Sequence, residues 1–322
     1  MVQPVFSIIA PVYNEHETLP ELHRRMHAVM DALGEEWELV LVDDGSQDGS
    51  GELIRKLAVE DPRVRPVIFA RNFGHQLAVT AGMDHSRGQA VVVIDADLQD
   101  PPEVIPELIA KWREGYEVVY AVREAREGES RFKLWTASLF YRFIHAVAEV
   151  DIPLDAGDFR LLDRKVVDVL GEMREHNRFL RGMSAWVGFR QVGVPYQRAA
   201  RFAGESKYPL RKMIQLALNG IIGFSFFPLR LVAMVGLGFT GLSVLAFIVM
   251  LILHIVGTAG AWGLDAILLA IFFVGGVQLV ALGMLGEYLG RTYDEARGRP
   301  LYILREGRDD AKNPNNELSK EH

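Results

Sequence analysis

A chain of 322 residues, 49% of them hydrophobic, is long enough for one large core or two smaller ones, and size alone predicts about two domains. Its formal net charge of -7 excludes a generally basic protein, and with it any broad electrostatic attraction to nucleic acid or anionic lipid. No cysteine is present, which excludes disulfides, thiolate nucleophiles and sulfur-ligated metals.

The first residues lack the basic leader of a secretory signal, and their apolar stretch is interrupted by Pro11, so the N-terminal part is expected to stay in the cytosol. To about residue 121, β-branched runs alternate with helix-like stretches, the pattern of an α/β domain with a mostly parallel sheet covered by helices. Strands are predicted at 6–12, 37–42, 64–69, 90–95 and 117–121, each nearly continuously apolar and so suited to burial on both faces. Helices are predicted at 17–33, 49–59, 75–85 and 103–113, where apolar residues recur at helical spacing. The polar motifs fall just after the strands. In open α/β sheets that carboxyl edge is where ligands bind.

Residues 133–148 mix aromatic and aliphatic side chains with Lys133, Arg142 and His145, which suits either a helix lying at a bilayer interface or an ordinary core helix. A second such stretch, 207–227, carries Arg211 and Lys212 ahead of an apolar run. Two long apolar runs follow, 231–256 and 267–289, each exceeding the roughly 20 residues that cross a hydrocarbon core. The join, 257–264, has no Lys or Arg, whereas Arg211, Lys212 and Arg230 precede the first run and Arg291, Arg297 and Arg299 follow the second. The positive-inside rule therefore puts both ends in the cytoplasm. Beyond Arg305 the tail is polar and reads as disordered. The expected division is a catalytic domain over 1–206 that includes the helix near 133–148, an interface helix over 207–228, a two-span membrane domain over 229–290, and a cytoplasmic polar tail over 291–322.

Two motifs are set aside. Gly236, Gly238 and Gly241 match G-x-G-x-x-G, but within a membrane span no strand-to-helix turn can form, and small-residue packing between spans, as for Gly286 and Gly290, accounts for them better. His23 and His27 share a helix face at metal-ligand spacing, yet no third ligand or HExxH context accompanies them, and they read as a solvated face.

The strongest chemical signal is Asp95-Ala96-Asp97-Leu98-Gln99-Asp100-Pro101-Pro102, where a hydrophobic strand delivers a cluster of carboxylates and then gives way to a helix. Crowded carboxylates are costly unless a cation neutralises them, and Mg²⁺ or Mn²⁺ held by one or two of them against substrate phosphates is the usual solution. A plain loop with Asp as turn former and cap is the alternative. Pro11-Val12-Tyr13-Asn14-Glu15 and Val42-Asp43-Asp44-Gly45-Ser46 end the first two strands, so three polar clusters gather at one edge, suited to stacking on a base and binding ribose hydroxyls, although Asp44-Gly45-Ser46 equally reads as a turn.

The segments PVYNE, VDDGS and DADLQDPPE resemble the hallmarks of the family 2 glycosyltransferases with a GT-A fold. RNFGHQLAVTAG (71–82), AGDFRLLDR (156–164) and RFAGESKYPLRKM (201–213), followed by paired spans, resemble the polyprenyl-phosphate sugar transferases of that family. The resemblance implies that Asp43 and Asp44 help bind the nucleoside, with Pro11, Tyr13 and Glu15 lining the pocket and Asp95 and Ala96 contacting the nucleotide. It implies that Asp97 and Gln99 hold the divalent metal, Asp97 thereby taking a catalytic part. Arg123, also counted as catalytic, would neutralise phosphates together with Arg201 and Lys207. Asp158 is the candidate acid nearest the reacting centre; pairing with Arg160, or capping a helix that begins near Asp163, is its structural alternative.

The implied reaction is a metal-dependent, inverting transfer of a hexose from a nucleotide-sugar, UDP-glucose by resemblance, to polyprenyl phosphate. Such an enzyme is expected in a bacterial-type inner membrane, with no nucleic-acid partner and with glycine-rich spans suited to self-association. A processive polysaccharide synthase is the rival, but its Q-x-x-R-W motif is missing from the chain. A membrane-tethered nucleotide-sugar binder without catalysis is opposed by Asp95, Asp97 and Asp158, and a membrane dehydrogenase loses its support with the discarded glycine motif.

Overall fold

The computed structural model describes residues 3–123, 156–198, 227–256 and 264–307. These fall in two compact units, one built on a sheet and one of two long helices.

The sheet unit begins with β1 (Phe6–Val12), α1 (Leu19–Met30) extended by a 3₁₀ turn (Asp31–Leu33), β2 (Trp37–Asp43), α2 (Ser50–Glu60), β3 (Val64–Phe69), α3 (His75–His85) and β4 (Ala90–Val93). It continues with a 3₁₀ turn (Pro102–Val104), α4 (Ile105–Arg113), β5 (Val118–Arg123), β6 (Ala156–Asp163), α5 (Arg164–Glu172), α6 (Leu180–Trp186), β7 (Gln191–Tyr196) and, from the C-terminal end, β8 (Leu304–Gly307). The strand order is β7-β5-β6-β4-β1-β2-β3-β8. β1, β2, β3 and β4 are parallel, and β5 pairs with β7 in parallel. The sheet is mixed rather than uniformly parallel, because β6 runs antiparallel to both β4 and β5, and β8 runs antiparallel to β3.

Every residue of β1 and β2 is buried, as continuous apolar strands covered on both faces must be. On one face Leu22 and Met26 of α1, Ile54 of α2 and Ile105 and Leu108 of α4 pack with Phe6, Ile8, Leu39 and Leu41 into one core. On the other, α3 lies so close to β1 that a Cβ on Gly82 would stand 2.2 Å from Ile9 Cγ2. A large-to-small change in this core, such as Leu39→Ala, would cost about 2–5 kcal/mol.

Several expected bounds move. β4 stops at Val93, leaving Asp95 beyond the ladder, and β5 runs on to Arg123, so that side chain ends a strand. The segment after residue 299 supplies β8, which sequence periodicity over four residues does not announce. Residues 308–322, and the expected interface helix at 133–148, lie outside the described residues, as does all but the last part of 207–228.

The other unit consists of α7 (Phe227–Ile255), which covers the first apolar run, and α8 (Leu264–Ala296), which covers the second. Phe239 and Phe273 meet edge to face with centroids 5.0 Å apart. Among the described residues one helical stretch, Phe273–Ala296, is long and apolar enough to cross a membrane. Its large side chains face outward: Leu279, Leu282 and Leu289 are all exposed.

Candidate active site

The parallel strands all end at one edge, and because β6 is antiparallel its first residues arrive there too. β4 and β6 pair Val93 with Arg160, and two residues further along the same register Asp95 comes opposite Asp158. A strand pairing thus brings together two carboxylates more than sixty positions apart in sequence.

Asp158 is the best-supported acid. Arg181, in the first turn of α6, donates from Nε to Oδ1 at 2.8 Å and from Nη2 to Oδ2 at 3.2 Å. His75 Nε2 stands 3.2 Å from Oδ2, and Gln76 Nε2 donates to the same oxygen at 3.3 Å. Gln76 in turn accepts from the Leu180 N–H through Oε1 at 3.0 Å, tying α3 to α6. Burial raises the Asp158 pKa, but the His75 bond and the Arg181 charge outweigh it and hold the carboxyl well below the usual range. Burial lowers the His75 imidazolium, yet the Asp158 bond and the Asp95 charge push it up to about 9. At neutral pH this is an anion between two cations. Arg160, the expected partner of Asp158, bonds instead to Ser184 Oγ and to the Gly157 carbonyl. The alternative of a cap also falls to another residue: Asp163 Oδ1 accepts from Lys165 N at 3.1 Å at the start of α5.

Asp95 has the opposite environment. Its pKa is pushed up to about 6 by burial, opposed by His75 at 3.7 Å and reinforced by Asp158, Asp100 and Asp97. Oδ1 of Asp95 and Oδ2 of Asp100 are buried without a hydrogen-bond partner among the described residues. Oxygen donors crowded in this way match the preferences of a hard divalent cation, and Asp97 and Gln99 lie in the same turn, where Asp97 Oδ1 accepts from Gln99 N at 3.1 Å. The turn is held by Leu98, a buried side chain whose backbone takes the left-handed region at φ 59°, a conformation costing roughly 1–2 kcal/mol for a residue with a Cβ. Ala96 is buried beside it.

Arg123 reaches the same edge from β5. Its Nε donates to Tyr196 Oη at 3.3 Å, and Tyr196 donates to Asp100 Oδ1 at 2.5 Å. Arg198 lies 3.4 Å from that oxygen. Arg123 also packs against Gly157, where a Cβ would stand 3.0 Å from Nη2.

At the ends of β1 and β2, Tyr13 is 45% exposed, an aromatic surface at the mouth of the edge, while Pro11 is buried within β1. Glu15 accepts from Thr18 Oγ1 at 3.0 Å. Asp43 accepts from Ser46 N at 3.0 Å. Asp44 is spent on the loop that follows β3: Oδ1 accepts from Phe73 N and Oδ2 from Asn72 Nδ2 and Gly74 N. Burial raises its pKa, with those backbone bonds opposing. Asp44 thus fixes the loop that delivers His75 and Gln76. Gly45, at φ 71°, permits the close approach, since a Cβ there would lie 2.5 Å from the Arg71 carbonyl carbon. Arg201 and Lys207 lie outside the described residues.

Among the expected residues, then, Asp95, Asp97, Gln99, Arg123 and Asp158 come to one edge. His75, Gln76, Arg181 and Tyr196 join them, although no local motif marks Arg181 or Tyr196. RNFGHQLAVTAG contains the first two, but only the β4–β6 register and the placement of α6 reveal their partners.

A mixed α/β sheet that gathers an aromatic ring, carboxylates and arginines at the carboxyl ends of its strands is a GT-A glycosyltransferase fold. The chain belongs to glycosyl transferase family 2, whose family model matches residues 7–171, and it is a glycosyltransferase. It is 50% identical over 299 residues to the uncharacterized glycosyltransferase YkcC of Bacillus subtilis, covering 93% of each chain. It is 41% identical to the prophage bactoprenol glucosyl transferase homolog of Escherichia coli, covering 93% of this chain and 98% of that one. With the bactoprenol glucosyl transferase of Shigella phage SfV it shares 42% identity over 93% and 97% of the two chains.

Proposed function

We propose that the enzyme transfers a hexose from a nucleotide-sugar, UDP-glucose as first choice, to polyprenyl phosphate, with inversion at the anomeric carbon. The observation that carries this reading is the extent of the match to bactoprenol glucosyl transferases, which spans 299 residues and so takes in the apolar helices as well as the acid edge. Outward-facing leucines on α8 support a membrane setting, because a lone helix of a soluble protein would bury them. On this reading both apolar helices span the membrane, both termini are cytoplasmic, and the domain limits are those expected from sequence, except that residues 304–307 of the expected tail return to the catalytic sheet as β8.

The nucleoside lies against Tyr13, Asp43 and the ends of β1 and β2. Asp97 and Gln99 hold Mg²⁺ or Mn²⁺, which when bound supplies charge compensation to the diphosphate. Arg123, Arg201 and Lys207 position the phosphates. The acceptor is already anionic, so it needs orientation and screening rather than deprotonation. One of its oxygens bonds to the anomeric carbon as the bond to the diphosphate breaks, and Asp158, ionised between His75 and Arg181, stabilises positive charge that develops on the sugar ring.

The test is incubation of detergent-purified protein with Mg²⁺ or Mn²⁺, polyprenyl phosphate and radiolabelled UDP- and GDP-sugars. The expected result is chloroform-extractable, acid-labile label that Asp97→Ala abolishes. High-molecular-weight product, or no transfer from any donor, overturns the proposal.

A further inference from the structure

His23 and His27 are not a solvated pair. α1 places both rings at the amino end of the sheet, where Asp61 follows α2 and precedes β3. Both Nε2 atoms converge on Asp61 Oδ2, at 3.2 Å from His23 and 2.7 Å from His27. All three donor atoms lie within 4.8 Å of one another. The other Asp61 oxygen is occupied, accepting from Arg63 N at 3.0 Å and from Arg63 Nε at 3.2 Å, which orients Oδ2 toward the imidazoles. The Asp61 side chain is 9% exposed, whereas His23 and His27 are 22% and 23% exposed, so the cluster has a buried floor and an open side.

We propose that His23, His27 and Asp61 bind a divalent transition-metal ion, Zn²⁺ by preference, that clips α1 to the turn between α2 and β3. Two histidines four apart on a helix face are spaced to share one ion, and two imidazoles with one carboxylate leave the fourth position of a tetrahedral centre to water. Bonds of about 2.0–2.1 Å set tetrahedral donor atoms roughly 3.3 Å apart. The His23 distance already has that value, and a side-chain movement of roughly half an ångström gives it to His27. Asp31 Oδ2, 3.2 Å from His27 Nδ1, is placed to accept that ring's N–H and so direct the Nε2 lone pair at the ion. Arg63 Nη2, which can only donate, stands 3.0 Å from the same Nδ1 and must turn aside for that tautomer to form, while Arg63 Nη1 keeps its hold on Asp31 Oδ1 at 2.7 Å. Imidazole ligands favour Zn²⁺ over Mg²⁺ or Mn²⁺, which sets this site apart from the oxygen-rich edge at the other end of the strands.

The experiment uses full-length, tag-free protein, stripped of metal in detergent and carrying Asp97→Ala to silence the acid edge. Equilibrium dialysis against buffered Zn²⁺ with excess Mg²⁺ is expected to give one equivalent of zinc. His23→Gln and His27→Gln each weaken it roughly tenfold or more. Cobalt in place of zinc is expected to give the intense visible bands of a four-coordinate ion, and His23→Gln, at a partly exposed position, to lose them while remaining folded. With Asp97 restored, His23→Gln is expected to retain transferase turnover. No zinc in the parent, or equal zinc in the parent and in the His23→Gln/His27→Gln protein, overturns the proposal and leaves a hydrogen-bonded cluster. Metal content is the readout, so neither result bears on the sugar transfer proposed above.

Discussion

At the amino end of the strands Glu38 is buried and all of its bonding capacity is used; at the carboxyl end Asp95 is crowded by carboxylates and one of its oxygens has no hydrogen-bond partner among the described residues. Glu38 accepts from Ser7 Oγ at 2.6 Å, from Arg87 N at 2.7 Å and Nη2 at 2.8 Å, and from Arg65 Nη1 at 3.3 Å. Burial raises its pKa, but these partners outweigh burial and lower it. Asp95 is moved the other way, up to about 6. Both edges belong to one sheet and are equally apolar within. The difference is that buried charge matched by the protein itself serves stability, whereas charge left for a ligand to match serves function at a cost in stability.

The largest expected effect tests the functional side. Asp97→Ala should lower turnover by at least about 10³-fold while leaving the thermal midpoint and far-UV spectrum near those of the parent. A comparable loss of folding stability would break the comparison. Glu38→Ala should do the reverse. Removing it takes the carboxylate away from the buried Arg65, beside the partly exposed Arg87, and denaturant titration should show about 3–5 kcal/mol of lost stability with turnover per folded molecule unchanged. Asp95→Asn sharpens the contrast further. Because the folded pKa of Asp95 lies above its unfolded value, stability falls as pH rises from about 4 towards 6 and stays low above that. At pH 7 the neutral amide should therefore stabilise the metal-free protein by about 3 kcal/mol while abolishing transfer. Adding Mg²⁺ or Mn²⁺ should narrow that gap, since the parent gains the neutralisation the variant no longer needs.

How far each edge is legible in sequence follows from how its contacts are made. β1, β3 and α3 have the bounds that apolar periodicity gives them, because local pattern and buried core agree there. DADLQDPPE is readable because its acids all fall within one short segment, residues 95–103. Asp158 was marked by resemblance, but its environment was not readable: Arg181 and His75 reach it through the β4–β6 register and through Gln76 bridging to α6, and nothing local in either segment encodes that meeting. Asp44 shows the same limit in reverse. Its motif suggests a nucleoside contact, yet its oxygens are taken by the Asn72 side-chain amide and the Phe73 and Gly74 backbone N–H groups, in a loop that packs close only because position 45 is glycine. At the amino edge, two histidines on one face were visible, but their shared partner Asp61 lies a helix and a strand away.

The smallest expected effect separates the two edges by pH. The His75 pKa is raised above its ordinary value of 6.5 to about 9, so the stability it contributes is complete below pH 6.5 and is lost as pH rises through 9. Asp158 stays ionised throughout that window, since its own pKa is held well below the carboxylate range. Glu38 behaves oppositely: with its pKa lowered, its contribution is present at neutral pH and is lost only in acid. Thermal midpoints of the metal-free parent and of His75→Gln, compared from pH 6 to 10, should give a difference that is flat below 6.5 and shrinks towards 9. Tyrosine and lysine titrations common to both proteins cancel in that difference. The His75 side chain is 36% exposed, so solvent screening reduces the effect to about 1 kcal/mol. A difference that is constant across the range would mean that the imidazole is not held as a cation between Asp95 and Asp158, and the carboxyl edge would then carry more uncompensated negative charge than its geometry indicates.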